Sequence, residues 1–243
     1  MRQFIGNIAF VIGQVLSTLL FSPLALILSP FLNSLQKARF ISLWASFIRW
    51  WLKVCCRIDY HVSGVENIPD IPAVVISNHQ SAWETIIFQK IFPAQSYLLK
   101  KELLWIPFFG WGLAANEPIA IDRGKKTQAL QQLIAQGKER LKQRRWIIIF
   151  PEGTRRPVGQ PGTFQVGGAF IASKTGAPVV PVAHNAGVFW SKQNSFNKKP
   201  GTVEVVIGPT IETKGRKPRD INLQAEEWIL HTMQELPITP FSD

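Results

Sequence analysis

Two short segments of the chain combine residue types that could do chemistry. Ser77-Asn78-His79-Gln80-Ser81-Ala82-Trp83-Glu84 supplies an imidazole and a carboxylate. Phe150-Pro151-Glu152-Gly153-Thr154-Arg155-Arg156 supplies a second carboxylate, a glycine turn and paired guanidinium groups. An imidazole held by a carboxylate can act as a general base. Guanidinium forks and turn amides suit phosphate. Together they point to an enzyme that activates a hydroxyl on a phosphorylated substrate.

The spacing of the first segment constrains its geometry. Five residues apart on a continuous helix, His79 and Glu84 would sit about 140° out of phase and diverge. If His79 lies in the turn before the helix, its ring can fold back to Glu84, leaving the other ring nitrogen for substrate. Ser81-Ala82-Trp83-Glu84 also has the form of a helix capping box, with Ser81 as cap and Glu84 at the third helical position. A structural histidine and a capping glutamate are the plain alternatives, and the capping and partner roles of Glu84 are compatible. Other chemistries fit poorly. The sequence has no G-x-S-x-G, no H-E-x-x-H and no P-loop, and its histidines are scattered.

The elements that must position these segments are short apolar runs alternating with helical patterns. Strands are predicted at 73–77, 96–100, 117–121, 146–150, 178–183 and 202–207, and helices at 84–92, 125–143, 166–175 and 222–235. This alternation predicts an α/β fold, a mostly parallel sheet flanked by helices. Ligands of such sheets bind beyond the carboxyl ends of the strands, where both motifs fall. Other cations follow strand ends too: Arg123 after 118–122, and Lys100 and Lys101 after the second strand. Singly, each reads as a solvated charge; several beyond different strands make an anion site. Glu152 beside them would bond a substrate hydroxyl or hold Arg155. The polar stretch 191–201 reads as an exposed loop.

The chain has 243 residues, a net charge of +11 and nine tryptophans. Length favours one domain with an appendage. No acidic residue precedes Asp59, and residues 3–36 carry no charge. This greasy, basic start points to a membrane surface rather than to nucleic acid, for which no binding module is evident. Phe4 to Leu32 is long enough to span a bilayer. It is too long for a signal peptide and lacks a cleavage site. Pro23 and Pro30 break the run, and Gly6 and Gly13 loosen it. A spanning helix therefore competes with one that turns near Ser22-Pro23 and returns, or lies in one leaflet. Phe40, Leu43, Trp44, Phe47, Ile48, Trp51, Leu52 and Cys55 form one helical face beside Lys37, Arg39, Arg49, Lys53 and Arg57. A core-packing helix is the alternative there. The expected division is a membrane-associated helical segment at 1–57 and an α/β domain at 58–243. The adjacent Cys55 and Cys56 give no disulfide framework.

The motifs resemble those of the lysophosphatidic acid acyltransferases among the glycerolipid acyltransferases. His79 and Glu84 match His-x4-Asp, with Glu for Asp; Phe150 to Arg155 matches Phe-Pro-Glu-Gly-Thr-Arg. Pro118 to Arg123 resembles the block ending in Asp-Arg, and Val179-Val180-Pro181-Val182 the Val-Pro-Val block. Lys100 to Leu103 and Ile106 to Gly110 resemble the Lys-x-Glu-Leu and Pro-x-x-Gly stretch. The resemblance implies acyl transfer from acyl-CoA or acyl carrier protein to the sn-2 hydroxyl of 1-acyl-glycerol-3-phosphate, giving phosphatidic acid. It implies His79 as base, oriented by Glu84; Arg123, Arg155 and Lys101 as phosphate ligands; and Glu152, Gly153 and Thr154 at the glycerol. It implies no metal and no cofactor beyond the thioester co-substrate, and a place on the cytoplasmic face of a bacterial inner membrane. Glycerol-3-phosphate or another lyso-lipid is the rival acceptor. The longer Glu84 must shift the backbone or alter the bond to His79. The aromatic run Trp105 to Trp111 would line the acyl path, touch lipid or pack as ordinary core.

Overall fold

Seven strands form one mixed sheet, β1 (Ile58–Ser63), β2 (Val74–Ser77), β3 (Gln95–Lys100), β4 (Ile119–Ile121), β5 (Trp146–Ile149), β6 (Val179–His184) and β7 (Gly201–Ile207). The computed structural model describes residues 1–122 and 126–239, with 126–128 described by backbone alone. The spatial order is β1-β7-β6-β2-β5-β3-β4. The run from β6 to β4 is parallel throughout, and only the β6–β7 pair is antiparallel. The carboxyl ends of β2, β3, β4, β5 and β6 therefore share one edge.

The helices cover both faces. They are α1 (Arg2–Leu28), α2 (Ser34–Cys56), α3 (Trp83–Ile91), α4 (Phe109–Ala115), α5 (Lys126–Lys142), α6 (Gly167–Thr175), α7 (Ala186–Phe189) and α8 (Pro218–Glu235). Strand alternation divides the core in two. Val75, Ile148 and Val180 face Ile48, Leu52 and Phe88 of α2 and α3. Val74, Ile147 and Val179 face Leu133, Ile171 and Ile229 of α5, α6 and α8. The mostly parallel α/β fold expected from the pattern is present. β1, α4 and α7 were not anticipated. β1 alternates apolar Ile58, Tyr60 and Val62 with polar Asp59, His61 and Ser63 instead of forming a continuous apolar run, and its partner is the distant β7.

α1 and α2 form an antiparallel hairpin. Trp51 Nε1 donates to the Ala9 carbonyl at 3.1 Å, Trp44 Nε1 to Ser17 Oγ at 3.2 Å, and Phe21 stacks on Phe40 at 4.6 Å. The two glycines of α1 serve this approach rather than loosening the helix. A Cβ at Gly6 would strike the Cys55 carbonyl, and one at Gly13 the Trp51 indole. The break expected at Pro23 does not occur; the chain turns at Ser29–Phe31 instead. Proline removes one donor from the helix ladder, and the turns around it are held by Phe21 on Phe40 and by Ala25 against Ile41.

The inner face of α2 belongs to the domain core, while Leu43, Phe47, Trp50 and Val54 on its outer face are exposed. α1 exposes a long apolar surface that includes Leu16, Leu20 and Ile27, and it is long and apolar enough to cross a membrane. α2 is clipped at its start. The fully buried Arg145 donates to the Ser34 carbonyl at 2.8 Å, to Ser96 Oγ at 2.8 Å and to the Asn116 carbonyl at 2.6 Å. Glu117 completes the clip with Lys37 at 2.7 Å.

Candidate active site

β2 and β5 are neighbours in register, Ile76 opposite Ile149, so the loops that follow them must meet. The first loop carries His79 and the second Phe150 to Arg155. His79 lies before α3, which starts at Trp83, and its ring folds back onto the helix. Its Nδ1 is 2.7 Å from Glu84 Oε1. The same oxygen accepts the backbone N–H groups of Gln80 at 2.9 Å and Ser81 at 2.8 Å. Glu84 therefore makes the return bond of a capping box and contacts the imidazole at once. The other half of the box differs from expectation, because Ser81 Oγ accepts the Trp83 N–H rather than that of Glu84.

A carboxylate only accepts, so Nδ1 of His79 carries the proton and Nε2 keeps a lone pair. The ring stacks on Phe150 at 4.3 Å. Glu84 is wholly buried. Burial opposes its charge, but the bonds from His79 and Ser81 outweigh it and hold the carboxyl below its usual range. His184 is itself fully buried, and burial pushes its pKa down. It donates from Nε2 to the Asn78 carbonyl at 3.0 Å and accepts the Ala186 N–H on Nδ1 at 3.2 Å, as a neutral ring does. Asn78 adds two bonds to the His184 backbone, from Nδ2 at 2.9 Å and to Oδ1 at 3.1 Å, and so fixes the residue before His79.

The second loop turns sharply. Gly153 N–H donates to the Phe150 carbonyl at 3.0 Å, and Gly153 has φ 68°, in the left-handed region that favours glycine. Glu152 points back under the first loop. Its Oε1 accepts the His79 N–H and its Oε2 the Gly162 N–H, each at 2.8 Å. Burial pushes its carboxyl up, against the opposing pull of these two bonds and of His79 and Arg156.

His79, Phe150, Gly153, Thr154 and Arg155 line one cavity of about 490 Å³. Apolar side chains line it as well, among them Phe21 of α1, Ile41 and Trp44 of α2, Leu98 and Leu99 of β3, and Phe109 and Leu113 of α4, together with polar Gln14, Thr18 and Ser22 of α1. The cavity thus combines an imidazole and cations with apolar surface suited to a hydrocarbon chain.

A protein-family model described as Acyltransferase matches residues 59–185. A 1-acyl-sn-glycerol-3-phosphate acyltransferase of Pseudomonas aeruginosa is 44% identical, over 96% of this chain and 92% of its own length. The chain belongs to the acyltransferase family. A Saccharomyces cerevisiae protein of the same name is 30% identical over 78% of this chain, which spans 64% of it. The crystal structure of the 1-acyl-sn-glycerophosphate (LPA) acyltransferase PlsC from Thermotoga maritima superposes with a TM-score of 0.79 at 25% identity, covering 100% of this chain and 98% of that one.

Within this acyltransferase fold the expected site residues divide. His79, Glu84, Glu152, Gly153, Thr154 and Arg155 come together. Lys100 lines the cavity; Lys101, the expected phosphate ligand, begins the helical turn beyond and is not among the lining residues. β3 ends at Lys100 and the chain turns into a 3-10 segment at Lys101. Arg123 lies outside the described residues. Glu152 accepts one backbone amide on each oxygen and so ties the two loops together, with a second lone pair left on each oxygen. Trp105, Ile106 and Phe109 are exposed, which rules out ordinary core packing for that run. Sequence reasoning missed Asn78, the Phe150 ring and Lys192, whose Nζ reaches Thr154 Oγ1 at 3.2 Å from the segment read as an exposed loop.

Proposed function

We propose that this acyltransferase moves a fatty acyl group from an acyl thioester, carried by coenzyme A or acyl carrier protein, to the sn-2 hydroxyl of 1-acyl-glycerol-3-phosphate, making phosphatidic acid. The named activity of the relatives supports the acceptor. The observation that carries the reading is the 2.7 Å His79–Glu84 pair at a cavity lined both by cations and by apolar side chains.

The chemistry follows from the tautomer. Nε2 of His79 takes the proton of the acceptor hydroxyl as its oxygen bonds the thioester carbon. The imidazolium, stabilised by Glu84, then returns the proton to the departing thiolate as the C–S bond breaks. The ester, a thiol and neutral His79 result. Arg155 and Lys100 supply positive charge for the phosphate, and the backbone turn at Gly153 and Thr154 places the glycerol. Phe150 keeps the imidazole upright by stacking.

Both substrate and product are lipids, so the catalyst works at a bilayer. The apolar outer surfaces of α1 and α2 suit insertion into one leaflet, and Phe21 of α1 and Ile41 and Trp44 of α2 also line the active-site cavity. Arg39, Arg49 and Lys53 on α2 favour an anionic, cytoplasmic leaflet.

The test is acyl transfer by purified protein from labelled acyl-CoA and acyl-acyl carrier protein to a panel of glycerol-3-phosphate, lysophosphatidic acid and other lyso-lipids. Lysophosphatidic acid should be the preferred acceptor, and His79→Ala should lose about 10² to 10⁴ in rate. Preference for another acceptor, or near-normal turnover by the folded variant, would refute the reading.

A further inference from the structure

The segment between Trp190 and Gly201 is polar in sequence yet carries a fully buried cation. Lys198 is 1% exposed. Its Nζ donates to the Ser195 carbonyl at 2.8 Å and sits 4.7 Å from the ring centres of both Phe10 and Trp190. A buried ammonium is costly unless something replaces its hydration. Here one carbonyl and two aromatic faces do so. The Lys198 backbone is gripped as well. Its N–H donates to Asn7 Oδ1 at 3.2 Å, and its carbonyl accepts Gln3 Nε2 at 2.8 Å. Phe196 meets Phe4 edge-on at 6.2 Å. Thus the loop is fastened to the first turns of α1.

The other end of this loop enters the active site. Lys192 lines the same cavity as His79, Arg155 and Lys100. Its Nζ bonds only the neutral hydroxyl of Thr154, and among the described residues no carboxylate pairs with it. The ammonium is therefore positioned at the cavity with its charge uncompensated.

We propose that Lys192 is a further ligand for the phosphomonoester of the acceptor, and that Lys198 is the positioning residue that sets its loop against α1. This deepens the acyltransferase reading above and rests on it. A phosphomonoester carries nearly two negative charges, more than one guanidinium neutralises, and Lys192 approaches it from the β6–β7 side while Arg155 approaches from β5. The donor also carries phosphate, so the kinetics must separate the two substrates.

Two measurements test this on the full-length protein. In the transfer assay, Lys192→Ala should raise the KM for lysophosphatidic acid about tenfold, as expected for one charged hydrogen bond. The KM for the acyl thioester and the kcat should hold, and Lys192→Arg should recover most of the loss. Lys198→Met should shift the acceptor KM in the same direction and add little in the Lys192→Ala background, a coupling that a merely structural role would not give. In parallel, glycerol-3-phosphate should raise the melting temperature of the native protein and much less that of Lys192→Ala. If native protein shows no transfer to lysophosphatidic acid, the functional reading fails, and the melting shift alone decides Lys192. An unchanged acceptor KM with an unchanged melting shift, or an equal rise in both KM values, overturns the proposal.

Discussion

Glu152 accepts the backbone N–H of His79 at 2.8 Å, so the carboxylate of one motif fixes the residue that opens the other. Arg156 N–H adds a second tie, to the His79 carbonyl at 2.7 Å. Both sides of the His79 backbone are thus held by the loop after β5. The base is aimed by Glu84 through its ring and by the second loop through its main chain.

Glu152→Gln tests the strut. Both oxygens of Glu152 accept N–H groups, and an amide can accept through only one. Its NH₂ would face the other donor. A buried donor left unpaired costs about 1–3 kcal/mol. The variant should fold with a lower melting temperature, lose about tenfold or more in turnover, and exchange the His79 or Gly162 amide faster. Unchanged exchange with normal turnover would show that the strut is dispensable.

Arg155→Ala should raise the KM for lysophosphatidic acid by about ten- to a hundred-fold, the range of a charged hydrogen bond, with little change for the acyl donor. The reason is its place among the cations that line the cavity. If both KM values rose together, Arg155 would be holding the loop instead.

The outer face of the helical hairpin predicts a membrane result. Deleting residues 1–57 would remove Ile48 and Leu52 from the core, so the informative change is on the surface. Leu43, Phe47, Trp50 and Val54 replaced together by Ser should leave the fold intact and weaken binding to anionic liposomes. High salt should release little of the native protein, because insertion of apolar surface is not screened as charge contacts are. Complete release by salt would mean that only the basic flank of α2 attaches.

The His79–Glu84 pair was legible because it is local. Its members are five residues apart across one strand-to-helix turn, and the phase of the helix sets the condition for contact. The Glu152–His79 bond was not legible, because it depends on β2 and β5 lying side by side, which neither motif encodes. Lys198 shows the same limit. Ser, Asn and Lys around it spell a solvated loop, and only the docking of α1 turns the site into a buried aromatic cage. Pro23 misled for the opposite reason: local propensity argued for a break, and packing of Phe21 and Ala25 overrode it. Strand positions were readable from continuous apolar runs, except β1, where Ile58, Tyr60 and Val62 alternate with Asp59, His61 and Ser63 and form no such run.

Glu84→Gln separates cap from partner. Oε1 alone accepts from His79, Gln80 and Ser81, so a glutamine oxygen keeps these partners, while its NH₂ replaces the buried, unpartnered Oε2 and adds a destabilisation of about 1–3 kcal/mol that does not vary with pH. What it loses is the charge that stabilises the imidazolium, so turnover should fall by about an order of magnitude or more, as when a triad carboxylate is neutralised. Stability carries a second signature. Burial opposes the charge of Glu84, but the bonds from His79 and Ser81 outweigh it, and the native carboxyl lies below its usual range. Ionised Glu84 therefore binds its proton less readily folded than unfolded, and the native state gains stability from it above the unfolded value of about 4.3. That gain is lost as pH falls through the lower native value. The melting-temperature gap between native protein and Glu84→Gln should be full at neutral pH and should narrow to its constant part in strong acid. Glu84→Asp keeps the charge but has a shorter reach, so it should retain appreciable turnover and a pH-dependent gap. Melting curves and initial rates for the three proteins across this range decide the matter. Full turnover by Glu84→Gln would leave Glu84 as a cap alone.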